Sequence, residues 1–350
     1  MEIIDLNEPD YEKVVKCVDP ETGLQAMIAV HDTTLGPSLG GMRMLPYESE
    51  EEALFDVKRL AKGMTYKSAV ADTGLGGGKS VIIGDPKIKS PELFQAMGRF
   101  VDSLGGKYIT AEDMNIGVAD LREVAKSTKH VAGLAIEDGG SGNPSPYTAR
   151  GVVVGMRAVI EEVFGSTDFS GHSILIQGVG AVGLPMAVSL KELGAKVLVC
   201  DIREDHARAV AEEHGFEFTK HDGHHRLEVD IYAPCARGAG VNDDTIGDLR
   251  CKAIAGCANN ILLEEGHGDE LKERGILYAP DYVINAAGII NVGVEVGPGG
   301  YDEARALERI DRIYDNLKEV FEISRTEGIG THSAADRLAE RRLAAARQNA

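Results

Sequence analysis

Two lysines, Lys67 and Lys79, sit twelve positions apart in surroundings that suit an ammonium group poorly. Lys67 is followed by Ser-Ala-Val-Ala. Lys79 stands between the triplet Gly76-Gly77-Gly78 and the apolar run Val81-Ile82-Ile83. An unpaired buried ammonium is costly, so such lysines are either paired or carry a lowered pKa, as catalytic lysines do. Three glycines ahead of Lys79 allow the backbone close to a ligand. Spacing alone leaves the plainer reading open, two ordinary lysines at the ends of elements. A third group, Asp113, follows the predicted strand Tyr108-Ile109-Thr110 through Ala111-Glu112. Loops beyond the strands of an open α/β sheet commonly carry general acids and bases. The structural alternative for Asp113 is a helix N-cap for a segment starting near Val118.

A second chemical centre lies farther along. Gly178-Val179-Gly180-Ala181-Val182-Gly183 follows the predicted strand Ser173–Gln177 and opens a helix, and Asp201 ends the next strand 23 residues after Gly178. Glycines in this order permit a tight turn and the approach of a pyrophosphate. The helix start offers N–H groups to phosphate, and the acidic residue accepts from ribose hydroxyls. Asp201 would repel a 2′-phosphate, which points to NAD over NADP; Arg203, two residues on, works against that preference. The weaker alternative is a purely structural glycine turn.

A nicotinamide, two lysines and a carboxylate together suggest hydride transfer at a carbon bearing an amine or an oxygen. One ammonium would hold a substrate carboxylate. The other, with a lowered pKa, would activate water and stabilise a developing oxyanion, while Asp113 carries the amine proton. Metal chemistry has little support. His221, His224 and His225 occur in a polar stretch without Cys or a helical His-x-x-x-His face and read as a solvated loop. Cys235, in Ala233-Pro234-Cys235-Ala236, reads as a packed, inert thiol at a strand end.

The elements that must position these groups can be read in order. Val14-Val15 and Ala26–Val30 flank the turn cluster Asp19–Gly23 as a hairpin. Leu35–Gly41 is expected to be a loop, being too rich in glycine for a regular element. Ser49 with Glu52 predicts a capping box, and Leu54, Val57, Leu60, Ala61 and Met64 follow at helical spacing, so the helix should deliver Lys67 just past its end. Val81-Ile82-Ile83 reads as a short buried strand, and Ser90-Pro91 starts the next helix. Residues 1–138 thus form one α/β domain. The densest turn chemistry, Gly139–Pro146, marks a linker into a second domain over 139–324. There, strands at Ser173–Gln177 and Lys196–Cys200 are joined by apolar segments at Ile231–Ala233, Ala253–Ala255 and Val283-Ile284. The chain from about 302 is helical and charged, and residues from about 325 to 350 are expected to pack back on the first domain.

Composition narrows the partners. The 350 residues carry 37 basic and 56 acidic side chains, a net charge of −19, which argues against nucleic acid and anionic membrane surfaces. Five cysteines without a Cys-x-x-Cys pair, and an N-terminus lacking a basic-then-apolar signal, point to a reducing cytoplasm. No apolar run approaches the length of a membrane span.

Taken together, these residues resemble the leucine/phenylalanine/valine dehydrogenase branch of the amino-acid dehydrogenases, the superfamily that includes the glutamate dehydrogenases. The resemblance covers nearly the whole chain. It rests on Leu39-Gly40-Gly41-Met42-Arg43, Met64-Thr65-Tyr66-Lys67, Gly76-Gly77-Gly78-Lys79, Ala111-Glu112-Asp113 and Pro144–Ala149. It continues in Gln177–Gly180, Ala233–Ala236, Ala255–Asn260 and Tyr278–Ala286. The resemblance implies an α/β substrate domain and a Rossmann-type doubly wound domain with a cleft between them that closes for reaction, a homo-oligomer, and reversible NAD-dependent oxidative deamination of an L-amino acid to its 2-oxo acid and ammonia. It implies that Lys67 binds the substrate carboxylate beside Gly40 and Gly41, that Lys79 activates water, and that Asp113 transfers the proton. Thr148, the loop Gly178-Val179-Gly180-Ala181-Val182-Gly183, Asp201, Cys235, Ala236, Asn259 and Asn260 would surround the cofactor and the reacting centre.

The resemblance also implies a side-chain pocket of Leu39, Ala111, Ile289 and Val292, all apolar, so that a branched aliphatic substrate leads and an acidic or basic one is disfavoured. Phenylalanine or tryptophan dehydrogenation is the alternative within the class, and an NAD-binding sensor without catalysis the alternative outside it. The chain departs from the family pattern at Arg237-Gly238-Ala239-Gly240, where Leu-Gly-Gly-Val is usual. It departs again at Arg150, where an aromatic is common, and at Met114-Asn115-Ile116 after Asp113. These leave the reaction alone and bear on side-chain and cofactor preference.

Overall fold

A computed structural model of the protein describes residues 1–349. The chain divides into two compact units. One comprises Met1–Asn143, Val292–Asp302 and the chain from Ala339; the other comprises Pro144–Asn291 and Glu303–Leu338.

The first unit is built on a six-stranded mixed sheet of β1 (Glu2–Asp5), β2 (Lys13–Asp19), β3 (Leu24–Asp32), β4 (Ser38–Leu45), β5 (Gly76–Ile83) and β6 (Tyr108–Glu112). The spatial order is β1-β2-β3-β5-β4-β6. The first four in that order pair antiparallel, and β5, β4 and β6 run parallel. Three helices join them: α1 (Glu50–Ala71), α2 (Pro91–Asp102) and α3 (Val118–Ala125).

Side chains alternate across a sheet, so each strand serves two cores. Met42, Met44, Ile82 and Tyr108 cluster with Leu93, Phe94, Met97, Phe100 and Val101 of α2. Burying an apolar side chain of this size contributes roughly 1.5–3 kcal/mol. Met27, Ala29 and Val81 face the other way, onto Ala53, Val57 and Ala61 of α1. By the same alternation Leu39, Gly41, Arg43, Lys79 and Ala111 fall on the α1 side of the sheet.

Three local expectations are corrected here. First, Ser38–Leu45 is a strand, not a loop. A Cβ on Gly40 would stand 1.8 Å from the Gly78 carbonyl oxygen and one on Gly41 2.3 Å from that of Glu112. The glycines are set by the crowding of neighbouring backbones, not by a turn. Second, the strand holding Lys79 starts at Gly76 rather than Val81, so Lys79 lies inside it. Third, α1 continues to Ala71, and Lys67 lies within the helix. Its buried face, Ala53, Ala61, Thr65, Ser68 and Ala69, is small, and a Cβ on Gly77 would meet the Thr65 backbone nitrogen at 2.1 Å. Helix and strand therefore touch almost backbone to backbone, a contact that apolar periodicity cannot reveal. At the N-terminus of α1, Ser49 caps Glu52 N–H at 3.1 Å, but the Glu52 carboxylate accepts from Glu48 N–H at 2.7 Å instead of closing the box on Ser49.

The second unit carries a parallel sheet of β7 (Ser173–Gln177), β8 (Lys196–Cys200), β9 (Glu217–Phe218), β10 (Ile231–Pro234), β11 (Ala253–Ile254) and β12 (Leu277–Tyr278). Its order, β12-β11-β10-β7-β8-β9, is that of a doubly wound dinucleotide fold, with the reversal between β7 and β10. The helices are α4 (Ser145–Phe164), α5 (Gly183–Glu192), α6 (Glu204–His214), α7 (Gly266–Glu273), α8 (Asp281–Ile284), α9 (Ala287–Val296), α10 (Glu303–Asp311), α11 (Ile313–Glu327) and α12 (Thr331–Asn349), of which α9 and α12 pass from this unit into the first. Val283-Ile284, expected as a strand, is helical, and Leu277-Tyr278 forms the sheet edge. An apolar pair has no period of its own. Here Pro280 accepts the Val283 and Ile284 N–H groups at 3.0 and 3.1 Å and starts a helical turn. Among the described residues no helix is long and apolar enough to cross a membrane.

Candidate active site

In the first unit the structure brings Lys79 and Asp113 into direct contact. Lys79 Nζ donates to Asp113 Oδ2, and the lysine is only 5% exposed. The other carboxylate oxygen, Oδ1, accepts from Arg43 Nε at 3.3 Å and from the Met114 N–H. Arg43 turns its Nη1 to Asp56 Oδ2 on α1 at 3.1 Å. Tyr47 donates to that same oxygen at 2.8 Å, and Arg59 reaches Asp56 Oδ1 at 2.8 Å. Strands β4 and β5 and the chain just beyond β6 thus supply a cation, a cation and an anion to one patch, and α1 closes it with a second anion.

The electrostatics follow from burial. Desolvation pushes the Lys79 ammonium below the usual lysine range, against the opposing pull of Asp113; the Arg43 charge adds to the lowering. Burial would raise Asp113, but the Lys79 and Arg43 cations and the Met114 N–H outweigh it and hold the carboxyl below its ordinary value. Asp113 is therefore an ionised acceptor, and Lys79 is the member of the pair that carries the dissociable proton, held less firmly than by an exposed lysine. Asp113 does not cap the following helix: Gly117 occupies the N-cap of α3.

The neighbouring strands place the other first-unit residues. Gly41 pairs with Ala111, and Leu39 with Ile109 and Gly77. Gly40 offers its carbonyl to the Tyr108 hydroxyl at 2.6 Å. Lys67 is half-buried on α1. On α9, buried Ile289 belongs to the second unit and half-buried Val292 to the first.

In the second unit the glycine loop joins β7 to α5. Gly178 has φ +103°, a conformation that suits glycine, and a Cβ on Gly183 would stand 2.0 Å from the Gly178 carbonyl oxygen. Asp201, 8% exposed at the end of β8, accepts from Val179 N–H at 3.2 Å and from Arg203 N–H at 2.9 Å, with Arg203 Nε at 3.4 Å. Burial would raise its pKa, but these N–H donors and the Arg203 charge hold it low. A cavity of about 280 Å³ opens here, lined among others by Gly178, Asp201, Ile202, Ala236 and Arg237. Gly180, Ala181 and Val182 complete the loop into α5. Cys235 and Ala236 continue beyond β10, and Asn259 and Asn260 lie past β11, where Asn285 Nδ2 donates to Asn259 Oδ1 at 2.8 Å. Thr148, on the first turn of α4, donates to the Pro144 carbonyl at 3.0 Å. Burial pushes the Cys235 thiol well above its ordinary pKa. A glycine turn, an ionised carboxylate and a cavity at the sheet's reversal point fit a dinucleotide.

Some of what surrounds these sites escapes sequence reasoning. Arg43 stands out only as part of a motif, and Asp56 and Tyr47 not at all, since nothing along the chain links residues 43, 47, 56 and 113. His221, His224 and His225 are half-buried around the same cavity rather than solvated, and His224 Nε2 lies 3.0 Å from the Tyr232 hydroxyl. Burial lowers the His224 pKa, which keeps that ring neutral at physiological pH.

A dinucleotide-type sheet in one unit and a buried lysine–carboxylate pair in the other are parts that a dinucleotide-dependent dehydrogenase uses, and comparison with known proteins gives the class. Residues 11–130 match the family described as Glu/Leu/Phe/Val dehydrogenase, dimerisation domain. Residues 139–220 and 198–350 match Glutamate/Leucine/Phenylalanine/Valine dehydrogenase. The chain is 50% identical to leucine dehydrogenase of Thermoactinomyces intermedius, over 98% of this chain and 94% of that protein. It is 52% identical to leucine dehydrogenase of Bacillus cereus, over 97% and 92%. The crystal structure of L-tryptophan dehydrogenase from Nostoc punctiforme superposes with a TM-score of 0.88 at 42% identity, covering 97% of both chains. The chain belongs to the glutamate/leucine/phenylalanine/valine dehydrogenase family, and its cofactor is a nicotinamide dinucleotide.

Proposed function

We propose that this protein catalyses the reversible, NAD-dependent oxidative deamination of a branched-chain L-amino acid to its 2-oxo acid and ammonia. The observation that carries the reading is the buried Lys79–Asp113 pair on a sheet face whose neighbours, Leu39 and Ala111, are apolar.

Lys67 holds the substrate carboxylate, with Gly40 and Gly41 leaving room for it. The ionised Asp113 takes a proton from the substrate ammonium. A nicotinamide cofactor held by the loop 178–183 and Asp201 would supply the acceptor for the α-carbon's hydride. Lys79, its ammonium destabilised by burial, acts in its deprotonated form to take a proton from the water that attacks the resulting imine carbon, and stabilises the oxygen as it gains charge. Asp113 returns its proton to the departing nitrogen as the carbinol hydroxyl gives its proton to solvent and the C–N bond breaks, so one amino acid, one water and one oxidised cofactor give one 2-oxo acid, ammonia, one reduced cofactor and two protons, one of them on Lys79. Leu39, Ala111 and Val292 give the first unit an apolar lining for the substrate's side chain, and Ile289 of the second unit is the fourth apolar candidate. Thr148, the loop 178–183, Asp201, Cys235, Ala236, Asn259 and Asn260 hold the cofactor, and Asp201 accepts from the adenosine ribose and disfavours a 2′-phosphate.

The leucine dehydrogenase names of the relatives and the absence of a charged residue in that lining support a branched aliphatic side chain. A homo-oligomer is supported by the description of the domain matching residues 11–130 and by the exposed edge strand β1, which presents Ile3 and Ile4. Five free thiols suit a reducing cytoplasm.

Steady-state rates with leucine, valine, phenylalanine and tryptophan, each with NAD and with NADP, test the proposal. Leucine or valine with NAD is expected to give the highest kcat/KM. Preference for an aromatic amino acid would move the protein to the phenylalanine or tryptophan branch. NAD binding without turnover of any amino acid would make it a sensor.

A further inference from the structure

Asp113 carries two cations on its two oxygens, Lys79 on Oδ2 and Arg43 on Oδ1 at 3.3 Å. A guanidinium is a rigid fork. Its geometry about Asp113 is set by what its other arm holds, and that arm lies on Asp56 Oδ2 at 3.1 Å. Asp56 is fixed in turn by the Tyr47 hydroxyl and by Arg59, each at 2.8 Å. Side chains of Arg43, Asp56 and Asp113 are 17%, 13% and 18% exposed, so the chain is screened weakly by water. A buried, branched chain of this kind is more than a surface ion pair, which would carry little energy.

We propose that Arg43 and Asp56 are positioning residues of the deamination site: Asp56 fixes the Arg43 guanidinium, and Arg43 fixes Asp113 against Lys79. The proposal rests on the reading of Lys79 and Asp113 as the reacting pair. It assigns work to two side chains that do not themselves touch the reacting carbon.

The arrangement has a signature in pH. The charged groups acting on Lys79 are Asp113 beyond β6, Arg43 on β4 and Asp56 on α1. Arg59 and Tyr47 stand behind Asp56. His31 on β3 is lowered by burial and sits 2.9 Å from the Thr65 hydroxyl, and α1 also brings the half-buried Lys67 to this layer. Arg43 and Asp56 act on the Lys79 ammonium with opposite signs, the first favouring loss of its proton and the second retention. Removing the arginine charge therefore makes Lys79 harder to deprotonate, and removing the Asp56 charge makes it easier.

The test compares Arg43→Gln, Arg43→Lys and Asp56→Asn with the wild-type enzyme in pH profiles of kcat and kcat/KM for leucine deamination. Trace acetylation of Lys79, read by peptide mass spectrometry across pH, gives the titration of that amine without turnover. In Arg43→Gln the acid limb is expected to move alkaline by about half a unit or more, with kcat falling more than KM rises. Asp56→Asn, by releasing the guanidinium, is expected to lower kcat more than it raises KM, as Arg43→Gln does, with a smaller displacement of the limb because the lost carboxylate acts on Lys79 in the opposite direction. Arg43→Lys retains the cation and is expected to bring the limb back toward wild type while kcat stays reduced, since one ammonium cannot copy the fork. A lower rate in Arg43→Gln without any displacement of its limb, or unchanged kinetics in either variant, overturns the proposal. Should the wild type turn over no amino acid, the proposed function fails by itself, and the acetylation titration still decides whether Arg43 and Asp56 act on Lys79.

Discussion

Arg43 Nε and Lys79 Nζ hold opposite oxygens of one carboxylate, that of Asp113, with the arginine at 3.3 Å and the lysine in direct contact. Asp56, on the other arm of Arg43, balances the second cation, so the patch sets two cations against two anions. Burial, aided by the Arg43 charge, is what lowers the Lys79 ammonium against the pull of Asp113.

Replacing Lys79 by Ala should lower kcat by roughly 10²–10⁴, the usual worth of a positioned proton-transfer group. NAD binding, followed by calorimetry, should be unchanged. Turnover close to wild type would remove Lys79 from the chemistry.

Asp113→Asn should reduce deamination to a similar degree and also change the response to acid. Because the folded-state pKa of Asp113 is depressed, its contribution to stability is present above the unfolded value near 3.8 and is lost as pH falls through the lower folded value. Denaturant midpoints of wild type and variant should therefore converge below about pH 4. Curves that stay parallel down to pH 2 would contradict the ion pair.

Asp201→Ala removes the acceptor at the end of β8. Loss of charged hydrogen bonds of about 1.5–3 kcal/mol should weaken NAD roughly ten- to hundredfold and raise the ratio of NADP to NAD affinity, with Arg203 freed to meet a phosphate. An unaltered ratio would mean that another group reads the ribose.

Two glycines, Gly77 in the helix–strand contact and Gly63 on the solvent side of α1, should respond to alanine in opposite senses. At Gly77 a methyl collides with the backbone of Thr65 at 2.1 Å, so Gly77→Ala should cost about 1–3 kcal/mol or more and reduce activity by moving the strand that carries Lys79. At Gly63, exposed on α1 with nothing within 4 Å of the added carbon, Gly63→Ala should stabilise by up to about 1 kcal/mol. Thermal melts of the pair check both signs.

Much of the site could be found along the chain because its residues violate local expectation. A lysine between glycines and isoleucines, and an acid at the mouth of a strand, stand out from any sequence in which charge belongs on the surface. The glycine loop and Asp201 are tied by a spacing that strand, turn and helix lengths impose, so that site is visible as a local pattern. What failed were elements whose cause lies elsewhere in the chain. Gly40 and Gly41 look like a loop until Gly78 and Glu112 are seen pressing on them, and α1 looks finished before Lys67 until its small face is laid on Gly77.

Side-chain chemistry and its order along the chain are thus properties of the sequence alone: which groups can titrate, where the phosphate turn lies, and that two α/β sheets must form. The joining of Asp113 to Arg43 and, through it, to Asp56 was decided only by the fold. The physical reason is that parallel strands β4, β5 and β6 bring positions far apart in the chain to one sheet face, and only their register sets which charges meet.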